Sequence, residues 1–319
     1  MSAIQFVTFD FVEKERTYIM KFTEQGQTNA TNKLAVSKKQ DSKILYRNEL
    51  NSISFPNFTA MEFNIFFTIL YHISNYIKNK GVKNILRERT EEIENIISNT
   101  DENTGILKND KRTDFIEIKF DDLKVFMPQI KNKKRFFNEI VNFAVFKLKY
   151  VGVDRTKILK NIDNEDKHLI DGSPFFENFF IDENREILGV RITFFAYSMI
   201  NEFGNFMSFD MEEFCSFENK YTKSLFRLLK QYENSDSKQI IMDKNEFQKF
   251  INAPAKYDVV DLERKTIVPS VNEIKLKSKI SNGVKKTYSF VNVDYEKIYN
   301  NDKKRVKGFK FVFEKRSDK

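Results

Sequence analysis

The hydrophobic period of this 319-residue chain changes twice in the same order, and that recurrence limits the folds open to it. Thr59-Ala-Met-Glu62 reads as a capping box opening a helix to about residue 80, with Phe63, Phe66, Phe67, Leu70, Ile73 and Ile77 on one face and Gly81 as its stop. His72 lies inside this helix, with no second ligand type nearby, and is expected to be structural. Residues 85–100 read as a second helix, acidic outside. Residues 114–120 (DFIEIKF) alternate as a strand. Asp121 or Asp122 is expected to cap a short helix that Pro128 ends. Residues 131–147 form the next helix. Phe137, Ile140, Val141 and Ala144 share its inward face, Lys131, Arg135 and Asn142 point outward, and Lys134 and Asn138 flank them. Strand-like runs follow at 147–153 and then at 175–181 or 190–195, parted by a polar loop with His168.

The second pass repeats the order. Residues 219–232 carry Tyr221, Leu225, Leu228 and Leu229 at helical spacing, 239–243 read as a strand, and 244–252 as a short helix broken by Ala253-Pro-Ala. A long helix spans 258–278. Ile267, Val271 and Ile274 face inward, Lys265, Val268 and Asn272 outward, and Arg264 and Lys275 flank. Pro269 is a candidate kink. Residues 287–293 and 308–313 alternate as strands, and 295–307 lie between them with Lys303-Lys-Arg-Val-Lys307. Helix-strand-helix-helix-strand-wing-strand is the element order of a winged helix, whose third helix enters a DNA major groove. The expected class is α+β: two tandem winged-helix domains, at 41–205 and 206–319, after an N-terminal arm at 1–40. The join is expected near 201–217, and ILYRNEL within 41–54 reads as a short helix or turn.

The net charge is +8, and its placement matters more than its size. Residues 124–160 hold ten basic and two acidic residues; residues 258–319 hold sixteen and nine. These blocks carry +8 and +7, leaving −7 on the rest of the chain. Acidic stretches flank the first block, net −4 at 84–105 and −6 at 161–186. Both basic blocks coincide with a third helix and a wing. That placement favours duplex DNA over a membrane surface.

Other classes are excluded on residue types. One cysteine, Cys215, forms neither an intrachain disulfide nor a zinc site, and fits a reducing compartment. His72 and His168 are the only histidines, and no metal-protease, dinucleotide or P-loop motif is present, so no cofactor, metal or catalytic residue is expected. The N-terminus has no basic head before an apolar run, and no stretch is long and apolar enough to span a bilayer. A cytoplasmic protein with no membrane contact is expected. With 34 Phe and no Trp, phenylalanine is the core builder.

The run Tyr221 to Lys230 within KYTKSLFRLLKQY, then LERKTIVPSVNEI and the closing GFKFVF, resembles the C-terminal winged helix of plasmid replication initiators that bind repeated origin sites, or iterons. In the second run the matching residues are Arg264, Lys265, Ile267, Pro269, Ser270, Glu273 and Ile274. The resemblance covers about residues 42–316. It is looser in the first half, through ILYRNELN, the capped Phe-rich helix and 114–147. Thr266 stands where the family often has an aliphatic, and 84–105 looks like an insertion. The resemblance implies a tandem winged-helix initiator binding one iteron per monomer. It also implies homodimers formed through the N-terminal domain in equilibrium with monomer, autorepression by the dimer, and host helicase-loading proteins as later partners.

On that reading Arg135, Asn142, Arg264, Lys265 and Asn272 are expected to read base edges, Arg on guanine and Asn on adenine. Lys131, Lys134, Lys275, Lys303, Lys304, Arg305 and Lys307 are expected to sit on phosphates. The alternatives are a winged-helix transcription repressor and a rolling-circle nickase with a tyrosine nucleophile. The nickase needs a metal usually held by paired histidines, which this chain does not offer.

Overall fold

The computed structural model describes residues 42–55, 57–81, 115–154, 172–200, 206–280, 288–301 and 304–316, with parts of 84–91. The expected arm at 1–40, the loop with His168 and most of the acidic stretch at 84–105 lie outside the described residues.

Lys43–Arg47 forms a strand, β1, followed by a 3-10 turn at Asn48–Ser52 and a short strand, β2 (Ile53–Ser54). The helix or turn expected within 41–54 is thus confined to Asn48–Ser52, and the residues before it form a strand. Ile44 and Tyr46 alternate inward with period two, and that burial decides for a strand. Helix α1 (Ala60–Lys80) starts on the expected capping box: the Glu62 N–H donates to Thr59 Oγ1 at 3.2 Å, and the Thr59 N–H donates to Glu62 Oε2 at 2.6 Å. Gly81, at φ +78°, ends it in a conformation that favours glycine. Every residue from Glu62 to Ile73 is buried, so α1 is a central helix covered all round rather than on one face.

The first winged helix continues with β3 (Ile116–Lys119), α2 (Phe120–Leu123) and α3 (Lys133–Phe146). No side chain caps α2; Asp121 and Asp122 lie in its first turn, where the positive end of the helix dipole favours them. His72 is buried with Nε2 3.2 Å from the Asp122 carbonyl oxygen, and burial pushes its pKa down. A 3-10 turn at Leu148–Tyr150 leads to β4 (Gly152–Asp154), which joins β2 and β5 (Gly172–Pro174) in a small separate sheet. The run at 147–153 is therefore no wing strand. The wing is one hairpin, β6 (Phe176–Asp182) and β7 (Ile187–Ile192), so the runs at 175–181 and 190–195 are partners and not alternatives. Its sheet order is β3-β7-β6, all antiparallel. Then come α4 (Phe194–Ile200), β8 (Phe206–Asp210) and α5 (Met211–Ser216).

The second winged helix has α6 (Lys220–Gln231), β9 (Gln239–Asp243), α7 (Lys244–Phe250), a long third helix α8, and β10 (Phe290–Tyr299) and β11 (Val306–Lys315). Helix α8 is continuous through Val259–Leu262, a π-turn at Glu263–Ile267 and Val268–Ile280. The sheet order, β10-β11-β9, repeats the first: the last strand lies between the other two. The loop after β10 is shorter than expected, because pairing with β11 carries β10 through Tyr299.

The halves share a core. Strand β1 pairs antiparallel with β8 across the expected join. Phenylalanine rings run from one half to the other: Phe67 meets Phe214 at 4.8 Å, Phe209 meets Phe226 at 5.6 Å, Phe226 meets Phe290 at 5.9 Å, and Phe290 meets Phe313 at 5.5 Å. Into this core α6 projects Arg227, only 1% exposed. Its Nη2 donates to Asn51 Oδ1 at 2.6 Å and to the Leu50 carbonyl at 3.4 Å. Its guanidinium lies over the Phe55 and Phe67 rings at 4.9 and 5.1 Å. Lys220 to Asn57 Oδ1 (2.9 Å), Asn51 to Gln231 (2.7 Å) and Asn252 to the Phe55 carbonyl (2.7 Å) complete the joint.

Removing the guanidinium leaves a cavity against two rings and strips Asn51 of its donor. Arg227→Ala is expected to lower stability by about 3–5 kcal/mol, read as a fall in the urea midpoint; a shift within experimental error would show the pin to be dispensable. A second group predicts a pH effect. Buried Glu213 accepts the Ser289 N–H (2.8 Å) and Oγ–H (2.6 Å), and burial pushes its pKa up to about 7, against the pull of Ser289 and Lys230. Between its ordinary value and about 7 the folded chain keeps a proton that the unfolded chain has released, so stability falls as pH rises through that window. Glu213→Gln is expected to flatten that part of the stability–pH curve, and an unchanged slope would assign it to another group.

Candidate nucleic-acid interface

Helix α3 begins two residues later than expected. Asn132 is its N-cap, with Oδ1 accepting the Arg135 N–H at 2.9 Å, and Lys131 lies just outside the helix. Lys131, Lys134, Arg135 and Asn142 are all exposed, as a base-reading or phosphate-binding face requires. The inward set is Phe136, Ile140, Phe143 and Ala144. Phe137 and Val141, expected at its centre, are half-buried at its edge. Phe143 packs on Phe58 at 5.1 Å and Phe137 on Phe120 at 4.7 Å, which rotates the helix from the expected wheel. Lys133 escaped the sequence reading. Its Nζ meets Glu186 at 2.8 Å and Asp121 at 3.6 Å, so it ties α3 to the wing turn and its pKa is raised, chiefly by the Glu186 hydrogen bond.

Helix α8 takes its N-cap from Asp258, whose Oδ1 accepts the Asp261 N–H at 2.7 Å. The π-turn stands where Pro269 was expected to kink the helix. Proline offers no N–H and its ring crowds the carbonyl four residues earlier, and a wider turn relieves that. The Val268 N–H accordingly reaches the Glu263 carbonyl. Around the turn Thr266 and Ile267 are buried while Arg264 and Lys265 are exposed side by side. Thr266 fills its apolar slot by donating its hydroxyl to the Leu262 carbonyl, and Ser270 donates to the Thr266 carbonyl at 2.7 Å. The buried set, Ile267, Val271 and Ile274, is the expected one, and Asn272 is exposed. Lys275 is half-buried, 3.4 Å from Asp294, so it already has an acidic partner.

Two carboxylates fix the orientation of α8. Glu263 accepts from Tyr295 Oη and Lys297 Nζ, both at 2.7 Å, and these two, Lys297 foremost, hold its pKa below the usual range. That links the helix to the first arm of the wing hairpin. Glu273 accepts the backbone N–H groups of Glu218 (2.6 Å) and Asn219 (3.3 Å) at the start of α6, where a helix dipole favours an anion. Glu273 belonged to the matched sequence run, yet its role appears only when α6 and α8 cross.

The loop at 300–305 is closed by the Arg305 N–H on Asn300 Oδ1 and the Asn300 N–H on the Arg305 carbonyl, both 2.9 Å. Lys304 and Arg305 are exposed on it, and Lys307 is exposed but belongs to β11. Lys303 lies outside the described residues. Gly308 leaves room for β9: a Cβ there would stand 2.3 Å from the Met242 carbonyl oxygen.

The family model described as "Initiator Replication protein, WH1" matches residues 43–230. The chain belongs to this family. Among solved structures, this initiator is similar to the one described as "Crystal structure of Pi initiator protein in complex with iteron DNA". The identity is 14%, the TM-score 0.51, and the match covers 88% of this chain and all of that one. At that identity the likeness bears on the fold, two winged helices in tandem. No curated protein matches. Among the described residues no helix of the initiator is long and apolar enough to cross a membrane.

Proposed function

We propose that this initiator acts by binding repeated duplex-DNA sites at a plasmid origin through both winged helices, without catalysing a reaction itself. The observation that carries the reading is the pair of third helices. Each buries an apolar arc and exposes basic and amide side chains beside a hairpin wing: Lys134, Arg135 and Asn142 on α3, and Arg264, Lys265 and Asn272 on α8. Arginine and asparagine can each make two hydrogen bonds to a base edge, guanine and adenine respectively. In this reading Lys131, Lys304, Arg305 and Lys307, all exposed, neutralise phosphates. A fold shared with an initiator solved on iteron DNA supports the same reading. It extends to a homodimer formed through the N-terminal winged helix, which represses the gene for the chain and gives way to monomers at the iterons. Opening of the origin falls to DNA strain and to host helicase-loading proteins. A repressor of the same fold would recognise a single palindrome instead of direct repeats, and a nickase would leave a covalent tyrosine adduct on plasmid DNA incubated with Mg²⁺.

Two measurements test the interface. Arg264→Ala with Lys265→Ala is expected to weaken binding to the repeated site by roughly 1–3 kcal/mol per lost base contact; unchanged affinity at physiological salt would remove α8 from the major groove. Replacing Lys304, Arg305 and Lys307 by glutamine is expected to weaken binding to every duplex alike and to lower the salt slope by about 0.9 per lost phosphate contact. An altered sequence preference would mean that the wing reads bases.

A further inference from the structure

Asp261 stands in the first turn of α8 with both base-reading cations on one carboxylate. Its Oδ1 lies 2.9 Å from Lys265 Nζ and 3.3 Å from Arg264 Nη2. Lys265 Nζ is also 4.7 Å from the centre of the Tyr257 ring, a second contact on the same ammonium. The Arg264 side chain remains 71% exposed. These contacts hold its pKa below the ordinary carboxylate range, Lys265 foremost, so the group is ionised at neutral pH. Stability does not call for this arrangement, since exposed ion pairs contribute little. It has a clear consequence for binding. One carboxylate halves the charge that the pair presents, and it occupies donors of both cations that a phosphate oxygen would otherwise take.

We propose that Asp261 is a positioning residue that sets DNA specificity: it keeps Arg264 and Lys265 from acting as general phosphate binders and leaves the outer edge of the guanidinium for a guanine. The proposal rests on the DNA-binding reading above. A phosphate approaching the pair meets a like charge and gains little. A guanine offers two uncharged acceptors, N7 and O6, which the outer edge can take without breaking the Asp261 contact. The carboxylate therefore costs affinity everywhere except at a correctly placed guanine, and the difference between the two kinds of site is specificity.

The full chain and its Asp261→Asn variant are titrated over a range of salt against two probes. One is the duplex that the wild type enriches from a random-sequence pool; the other is poly(dI-dC). Asp261→Asn is expected to bind poly(dI-dC) about fivefold more tightly near physiological salt, with a salt slope steeper by about 0.9. Affinity for the enriched duplex should not rise, so the ratio of the two affinities falls by roughly fivefold. Asp261→Glu, which keeps the charge, should retain the wild-type slope. In an Arg264→Gln, Lys265→Gln background, Asp261→Asn should leave the ratio unchanged. A ratio unaltered by Asp261→Asn in the wild-type background would overturn the proposal, as would the same fall in the background lacking both cations. If the wild type enriches no duplex at all, the DNA-binding reading fails; if it enriches one and the ratio does not move, only the role of Asp261 fails.

Discussion

The Arg227 guanidinium is the point on which both halves of the molecule close. Burying a cation is costly unless something replaces its water. Among the described residues no carboxylate meets it; two phenylalanine faces, Asn51 and the Leu50 carbonyl do so instead. All four partners come from the first half, while Arg227 comes from the first helix of the second. The favourable terms therefore exist only when α6 is docked on the 3-10 turn, on Phe55 after β2 and on α1. Tyr46 beside it records the same environment: burial pushes its phenol up to about 12 although the guanidinium pulls the other way.

From that joint the two third helices are placed by short polar links rather than by their apolar arcs alone. Glu273 ties α8 to the start of α6, Glu263 ties it to β10, and Lys133 ties α3 to the turn of its own wing. Each link joins a third helix to a neighbour that the winged-helix order already sets beside it. Apolar packing leaves a helix some freedom to roll, and a directional contact at its end removes it. Asp261 acts within the same helix and decides how its two cations are presented.

Much of this was legible in the residues. The capping box at Thr59 and Glu62, the glycine stop at 81, the strand at 239–243 and the buried arc of α8 depend on near neighbours, and local periodicity reports them faithfully. The first wing is not legible in the residues because 175–181 and 190–195 pair with each other, and pairing leaves no mark within either segment. The rotation of α3 is not legible either, because Phe136, Phe137 and Phe143 are equally apolar in sequence. Only Phe58 and Phe120 on other elements decide which of them goes deepest. The ion pairs of Asp261 could have been found from its spacing to Arg264 and Lys265. The link of Lys133 to Glu186 and the hydrogen bonds that Glu273 accepts could not, since those partners lie more than fifty residues away.

The sequence by itself determined the element order, its repetition and the gathering of positive charge on the third helices and the second wing, because these follow from local period and composition. The tertiary structure alone decided which charges remain available. Lys133 and Lys275 are drawn into ion pairs with other elements, Lys134 and Arg135 are left exposed, and Lys307 falls on a strand instead of the wing loop. A charge run fixes how many cations a face carries. Which of them can meet a phosphate or a base also depends on the carboxylates that folding brings within reach, as Glu186 reaches Lys133 and Asp294 reaches Lys275.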